Sequence, residues 1–254
     1  RFSIDSSTGE ITVANNAQFD FEAESSLAIV VEIRDSHDES YQAQQIVQIT
    51  NVNERPQPIW GSLQAVTENL DSGVLVATID ANDPDTSLND LTFSLVEDAG
   101  GMFYIDEQGR IFTAQTMDYE QDDSYSIVAR VSDGQFAENI LATINVRDIN
   151  ERPSDIQFNG PMRVDENMVA GTVVGELSAS DPDQGANLTF NLINDAGGRF
   201  SLLGTEIQTS RSLDFEGEGA LHEIEVEVSD GALTRTETHT IRVDNVNERP
   251  TAID

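Results

Sequence analysis

Apolar and polar residues alternate with a period of two along much of the chain. In the stretches 125–131 and 223–228, every second residue is apolar, so that each stretch has one consistently apolar face. This alternation is typical of a β-strand that buries one face, because successive side chains of a strand point to opposite sides of the sheet. No stretch shows the 3.6-residue period of an amphipathic helix. The pattern therefore predicts an all-β fold.

Further strands are predicted where short apolar runs end in turn-forming residues. The pair Gln108-Gly109 lies between two of these runs and favours a tight hairpin, because such a turn needs a positive φ. The predicted strands between residues 73 and 146 span 73–79, 91–96, 103–106, 110–114, 125–131 and 140–146. About seven strands per repeat, with turns between them, are typical of an antiparallel β-sandwich.

An internal repeat organises these strands. The string Asn53-Glu54-Arg55-Pro56 recurs at 150–153 and again at 247–250, each time after 97 residues. A unit of this length has the size of an ordinary domain, and proline after the string would end one strand and begin the next unit. The predicted division is half a repeat at 1–55, complete repeats at 56–152 and 153–249, and the start of another at 250–254.

Four further acidic motifs recur in the same order. They are a Glu-Asn pair, an Asp-Pro-Asp turn, a triplet of Asp, an aromatic residue and Glu, and a late aspartate. The pair occurs at 68–69 and 166–167, the turn at 83–85 and 181–183, the triplet at 20–22, 118–120 and 214–216, and the late aspartate at Asp35, Asp133 and Asp230. An isolated Asp-Pro-Asp is a common turn, but its repetition with these companions favours metal binding.

Composition limits the chemistry that these carboxylates can perform. The 254 residues include 47 acidic and 13 basic side chains, which give a formal charge of −34 and a pI near 4.1. Such an acidic chain is a poor nucleic-acid binder, because that affinity comes from a basic face. A hydrophobic share of 38% is enough for packed cores, and the absence of cysteine leaves oxygen as the metal ligand. A hard cation is therefore predicted.

No run of about 18 apolar residues occurs, so we predict no membrane span in this chain. No signal peptide occurs either, and the sequence starts at Arg1 in what resembles the middle of a domain. These features predict a fragment of a longer protein.

The five motifs together resemble the cadherin family. Cadherin repeats carry a Glu-Asn, an Asp-x-Asp, an Asp-x-Glu, a late aspartate and an Asp-x-Asn-Asp-Asn linker, and all five have counterparts in both complete repeats. The resemblance implies tandem seven-stranded Greek-key sandwiches of the immunoglobulin-like, cadherin type. The linker has Glu and Arg at two positions of the animal pattern, and in this it is similar to the Asn-Glu-x-Pro linkers of large bacterial surface proteins.

The same resemblance implies Ca²⁺ sites, because calcium takes six to eight oxygen ligands and no single loop here supplies them. Three ions are expected at the junction of the complete repeats, and seven carboxylates without metal would repel one another by about 1 to 4 kcal/mol per pair. This junction would use Glu68, Asp118, Glu120, Asn150, Glu151, Asp181, Asp183 and Asp230, with carbonyls of Ile149, Arg152 and Asn187. The preceding junction would use Asp20, Glu22, Asn53, Glu54, Asp83, Asp85 and Asp133, and the last Glu166, Asp214, Glu216, Asn247 and Glu248. Weaker or empty terminal sites are expected.

Other assignments of these residues fit less well. A glycosidase acid and base are needed once, whereas the Asp118/Glu120 pair recurs in every repeat. An EF-hand at 80–91 would need Glu where Leu91 stands. His37, His222 and His239 have no ligand spacing and are predicted to lie on the surface, and Trp60 is predicted to have a packing role.

The predicted function is a calcium-binding, extracellular or cell-surface adhesion module in which Ca²⁺ stiffens a string of domains. Its partners would be calcium and the same protein on another cell. A polysaccharide-binding or passive spacer segment of a biofilm-type surface protein is the alternative. No Ser/His/Asp or phosphate-loop constellation supports an enzyme, so none is predicted.

Overall fold

The computed structural model describes residues 1–249, and the predicted start of a further repeat at 250–254 lies outside them. Contacts divide the chain into two compact units. Among the described residues, the first unit comprises Arg1–Met117 and Ser124–Asn145, and the second comprises Asp118–Asp123 and residues 146–249. No helix among the described residues is long and apolar enough to cross a membrane.

Residues 1–55, called the first segment below, form two hairpins. Their strands are β1 (Phe2–Ile4), β2 (Ile11–Val13), β3 (Ser26–Arg34) and β4 (Ser40–Gln48). β1 pairs with β2 and β3 with β4, both antiparallel. The alternation in β3 half-buries Leu27, Ile29 and Val31 while the residues between them are exposed.

Residues 56–152, the central repeat, form eight strands in two four-stranded sheets, with a 3-10 helix at Leu88–Asp90. The strands are β5 (Gln57–Leu63), β6 (Val66–Thr67), β7 (Leu75–Asn82), β8 (Thr92–Glu97), β9 (Phe103–Ile105), β10 (Arg110–Thr113), β11 (Ser124–Ser132) and β12 (Ala137–Arg147). The sheet orders are β5-β7-β10-β9 and β6-β12-β11-β8. Consecutive strands switch repeatedly between the sheets, which is a Greek-key arrangement.

Residues 153–249, the last repeat, have the same architecture with one helical turn, α1 (Phe215–Glu218). Their strands are β13 (Gln157–Asn159), β14 (Arg163–Asp165), β15 (Val173–Ser178), β16 (Thr189–Asn194), β17 (Phe200–Leu203), β18 (Glu206–Thr209), β19 (Leu221–Ser229) and β20 (Thr234–Asp244). The sheets run β13-β15-β18-β17 and β14-β20-β19-β16.

The cores consist of the apolar residues that alternate along the strands. In β11, Ile127, Ala129 and Val131 are fully buried, as the period of two predicts. In the last repeat one cluster joins side chains of both sheets, which makes the repeat a sandwich. Its buried members are Ile156, Val164, Val174, Leu177, Phe200, Ile207, Leu213, Ile224, Val226, Val228, Ile241 and Val243.

The predicted all-β sandwich class is confirmed, with two differences of detail. Each complete repeat has eight strands rather than seven, because its first strand is broken into two pieces that join opposite sheets. In the last repeat the break lies at 160–162, where Gly160 and Met162 have positive φ. The second piece, β14, pairs with β20 in parallel, so the sandwich is not wholly antiparallel. The predicted hairpin at Gly109 is present, with φ of 73°.

Two single-residue predictions have different outcomes. His37 is exposed, but His222 is only 7% exposed and its Nε2 atom lies 3.0 Å from the carbonyl oxygen of Gly219. The surface prediction for His222 is therefore wrong, because this residue lies on the same alternating face of β19 as the buried Ile224. Burial and the nearby charge of Arg199 lower its pKa. Trp60 donates a hydrogen bond from Nε1 to the Leu141 carbonyl at 3.1 Å, in keeping with a packing role.

Candidate metal centre

The aspartate that opens each acidic triplet caps its own turn. One carboxylate oxygen accepts a hydrogen bond from the backbone amide three residues further on, at 3.0 Å for Asp20, 3.1 Å for Asp118 and 2.9 Å for Asp214. This is the bond by which aspartate stabilises the start of a helical turn. The turn in each case holds the glutamate that follows two residues after the aspartate.

In the first unit, three carboxylates from separate segments meet. Glu22 of the acidic turn, Glu54 of the linker and Asp85 of the Asp-Pro-Asp turn each offer an oxygen within 4.8 Å of the others. Asp85 accepts hydrogen bonds from the Asn51 side chain at 2.7 Å and the Glu54 amide at 2.8 Å. A hydrogen bond shared with Asp85 raises the pKa of Glu54. Three carboxylates at this separation can share one cation.

In the second unit, the linker that follows the central repeat forms a similar group. Glu120, Asp148 and Glu151 offer oxygens within 4.8 Å of one another. The Glu151 amide donates to Oδ2 of Asp183 at 2.9 Å, so the linker also contacts the Asp-Pro-Asp turn of the last repeat. Glu68, a predicted ligand in the first unit, is 1% exposed.

The last acidic cluster lies entirely within the second unit and contains Glu166, Glu216 and Glu248. Glu166 is 2% exposed, and its two oxygens accept hydrogen bonds from the amides of Phe215 at 2.7 Å and Val246 at 2.8 Å. These bonds fix the buried carboxylate toward the acidic turn and the end of the chain. Side-chain amides complete the cluster: Asn167 donates to Glu248 at 2.5 Å, and Asn245 donates to Glu216.

The first aspartate of each Asp-Pro-Asp turn uses only one of its two carboxylate oxygens in hydrogen bonds. Oδ1 of Asp83 accepts from the amides of Asp85 and Thr86, and Oδ1 of Asp181 accepts from the Asp183 amide. Oδ2 of Asp83 and Oδ2 of Asp181 are buried and make no hydrogen bond. Burial raises the pKa of Asp181, and the charges of Asp183 and Asp230 act in the same direction. A buried carboxylate oxygen without a donor is costly, so a cation would fit here.

An asparagine of each of these two linkers donates a side-chain hydrogen bond to the late aspartate. Asn53 donates from Nδ2 to Asp133 at 2.7 Å, and Asn150 makes the equivalent bond to Asp230 at 2.8 Å. Asp230 also accepts hydrogen bonds from the amides of Leu233 and Ala232, and these bonds with that of Asn150 lower its pKa. The late aspartate is thus held in its ionised form beside the linker.

The acidic clusters contain only part of the predicted ligand set. Ile149, Arg152 and Asn187, predicted to act through their carbonyls, are exposed residues. The sequence interpretation missed the first linker position, which supplies Asp148 to the cluster of the second unit and the donors Asn51 and Asn245 elsewhere. The signal was present in the sequence, because these three residues are also spaced by 97.

The chain is similar in sequence to cadherin domains and to several protocadherins. Residues 64–147 match the cadherin domain. Mouse protocadherin Fat 4 is 26% identical over 199 residues, which cover 73% of this chain and 4% of that protein. The Drosophila melanogaster protocadherin-like wing polarity protein stan is 28% identical, covering 98% of this chain and 8% of that protein. The chain therefore spans only a small part of the length of these relatives.

A solved structure extends the likeness to the whole chain. The structure of protocadherin gamma B2 extracellular cadherin domains 1-5 superposes with a TM-score of 0.76 and 24% identity, covering 98% of this chain and 51% of that chain. The chain consists of cadherin-like tandem repeats. An extracellular or cell-surface location, predicted from the sequence, is confirmed by this kinship.

The finer origin inferred from the linker is not supported. The cadherin relatives compared above are animal proteins, and none of them is a bacterial surface protein. The polysaccharide alternative, which rested on the same bacterial resemblance, is likewise not favoured.

Proposed function

We propose that these cadherin-like repeats bind Ca²⁺ at their acidic clusters and that the bound ions stiffen the chain for cell adhesion. The observation that carries the proposal is the meeting of Glu22, Glu54 and Asp85. Glu22 and Glu54 belong to the first segment and Asp85 to the central repeat, so one ion bound to them would tie two successive repeats together. The proposed domains are those that the sequence predicts, 56–152 and 153–249.

The donor set favours calcium over other cations. The clusters offer carboxylate and amide oxygens, with neither cysteine nor a histidine among the grouped residues. Oxygen ligands in a flexible arrangement suit Ca²⁺, whereas Mg²⁺ demands a tight octahedron and releases water reluctantly. The buried oxygens of Asp83 and Asp181, which make no hydrogen bond, supply further ligand atoms.

When bound, calcium would neutralise the clustered carboxylates and so remove their mutual repulsion. The chain's own residues position the ligands. The capping aspartates stabilise the acidic turns, and Asn53 and Asn150 bind the linkers to the late aspartates. We propose a non-enzymatic role, with the same protein on another cell as partner. The adhesive relatives and the extracellular location support this role.

Small-angle scattering and thermal unfolding of residues 1–249 test the proposal. Calcium at about 5 mM, compared with EDTA, should raise the midpoint of unfolding, because a ligand that binds only the folded state stabilises it. It should also narrow the distribution of interatomic distances. Magnesium at the same concentration is the matched control and should do much less. Identical scattering and stability in EDTA and calcium would refute the proposal.

A further inference from the structure

The acidic turn of the last repeat is clamped by two arginines. The carboxylate of Glu218, four residues after Asp214, is 17% exposed and accepts a hydrogen bond from Arg211, while an Nη atom of Arg199 lies 3.6 Å away. The hydrogen bond from Arg211 lowers the pKa of Glu218. The clamp therefore fixes the C-terminal end of the turn that carries Asp214 and Glu216.

The first segment contains the same pair at the same places. Arg1 donates to Glu24 at 2.7 Å, and Glu24 lies four residues after Asp20. Arg1 and Arg199 each directly precede the phenylalanine of a strand, Phe2 in β1 and Phe200 in β17. An arginine before this phenylalanine and a glutamate after the triplet thus form a recurring ion pair.

The central repeat departs from this arrangement. Met102 directly precedes Phe103 of β9, so no positive charge stands at the equivalent position. Asp122, with its shorter side chain, takes the place of Glu218, and Gln115 that of Arg211. The amide of Gln115 donates to the Gly101 carbonyl instead. The central acidic turn therefore lacks the arginines of the other two.

The residue at the first linker position also differs between the central linker, where it is Asp148, and the outer two, where it is Asn51 or Asn245. Asn51 and Asn245 donate their side-chain amides to cluster carboxylates, Asp85 and Glu216. Asp148 stands at the equivalent central position and, as a carboxylate, adds a negative charge to Glu120 and Glu151. The outer clusters thus receive neutral donors, and their acidic turns carry an arginine ion pair, whereas the central cluster and turn have neither at these positions.

We infer that the Arg199/Arg211–Glu218 clamp and the Arg1–Glu24 pair are positioning devices that keep the outer acidic turns formed without metal, while the central turn depends on Ca²⁺. The inference rests on the proposed function for the role of the ion, but the order of the turns in EDTA is independent of it. Calcium would then act chiefly on the central linker, and removal of calcium would loosen the chain there first.

Hydrogen exchange of the whole chain in EDTA tests this inference through a residue swap. Arg199→Met with Arg211→Gln gives the last repeat the residues of the central one. The amides of Gly217, Glu218 and Gly219 should then exchange roughly two- to fivefold faster, the range expected for a partly exposed ion pair. Arg163→Gln, which removes an ion pair of β14 with Asp244, is the matched control and should leave these amides unchanged.

A second variant guards against a simple loss of folding. Arg1→Met removes the partly exposed ion pair with Glu24 and should accelerate exchange at the amides of Ala23 and Glu24 by roughly the same factor, again in EDTA. Unchanged exchange in either variant would overturn the inference. A calcium titration of the same proteins, followed by calorimetry, separates the outcomes: no binding by any of them would refute the proposed function, whatever the exchange in EDTA shows.

Discussion

The side-chain amide of Asn150 donates a hydrogen bond to Oδ2 of Asp230, 80 residues further along the chain, at 2.8 Å. The same amide donates to the carbonyl of Glu151. One asparagine therefore fastens the linker to the last repeat.

Asn150→Ala should loosen this attachment. Without the amide, the ionised Asp230 loses a donor, and hydrogen exchange at residues 150 and 151 in EDTA should accelerate roughly fivefold. Asn187→Ala, in an exposed loop of the last repeat, is the control and should not change exchange at residues 150 and 151. Equal exchange rates in the wild type and Asn150→Ala would show that the hydrogen bond does not hold the linker.

Glu120→Ala should weaken calcium binding more than Asp230→Ala. Glu120 belongs to a cluster of carboxylates, and we propose that it contacts two ions, whereas Asp230 serves one ion and keeps its backbone donors. Isothermal titration should show fewer or weaker sites, starting from wild-type dissociation constants of about 10⁻⁵ to 10⁻³ M. Far-UV circular dichroism should stay that of β-structure in both variants.

Glu107→Ala, at an exposed turn, is the control for this titration. If Glu120→Ala binds as many ions as the wild type with the same affinity, the ligand role of Glu120 is wrong.

Asp106→Asn should destabilise the β9–β10 hairpin in a pH-dependent way. Partial burial of Asp106 opposes its ionisation, but hydrogen bonds from Arg110 and from the Gln108 amide outweigh this and lower its pKa below 3.8. Because the folded-state pKa is depressed, the stabilisation is present above pH 3.8 and is lost as the pH falls through the folded-state value.

Denaturant unfolding in EDTA measures this effect. At pH 7 the variant should be less stable by about 0.5 to 1 kcal/mol, since the pair is partly exposed. The difference should shrink as the pH falls below the usual aspartate range and through the lower folded-state pKa, where Asp106 becomes protonated in both states. Glu107→Gln is the control, and a difference that stays constant with pH would contradict the assignment to the Asp106 charge.

Gly175→Ala should destabilise the last repeat through a steric clash. A Cβ atom at this position in β15 would lie 2.1 Å from Cε1 of Phe158 and 3.0 Å from the Asn159 carbonyl oxygen. Overpacking of this kind typically costs about 1 to 3 kcal/mol. The penalty should be smaller in a Phe158→Leu background, because the shorter side chain leaves room. An equal penalty in both backgrounds, measured by thermal unfolding, would place the strain elsewhere.

Sequence periodicity predicted the parts of the fold that depend on burial. The alternation in β11 and β19 located their buried faces, and the 97-residue spacing located the acidic turns and linkers. The break in the first strand was not predicted, although Gly160-Pro161 is a turn signal at that place. That the two pieces join opposite sheets depends on their pairing with β15 and β20, which are distant in sequence. The Arg1–Glu24 pair was also hidden, since its partners lie 23 residues apart and meet only after β1 and the turn fold.

The parallel pairing of β14 with β20 has a mechanical consequence. Arg163, Val164 and Asp165 pair with Arg242, Val243 and Asp244, so a strand near the entry of the last repeat lies beside the strand through which the chain leaves it. Tension between entry and exit would pull these two strands in opposite directions along their length. The interstrand hydrogen bonds would then be loaded in shear and must fail together, rather than unzip one at a time. The broken first strand thus gives the repeat a built-in resistance to pulling, which suits a link in a load-bearing tether.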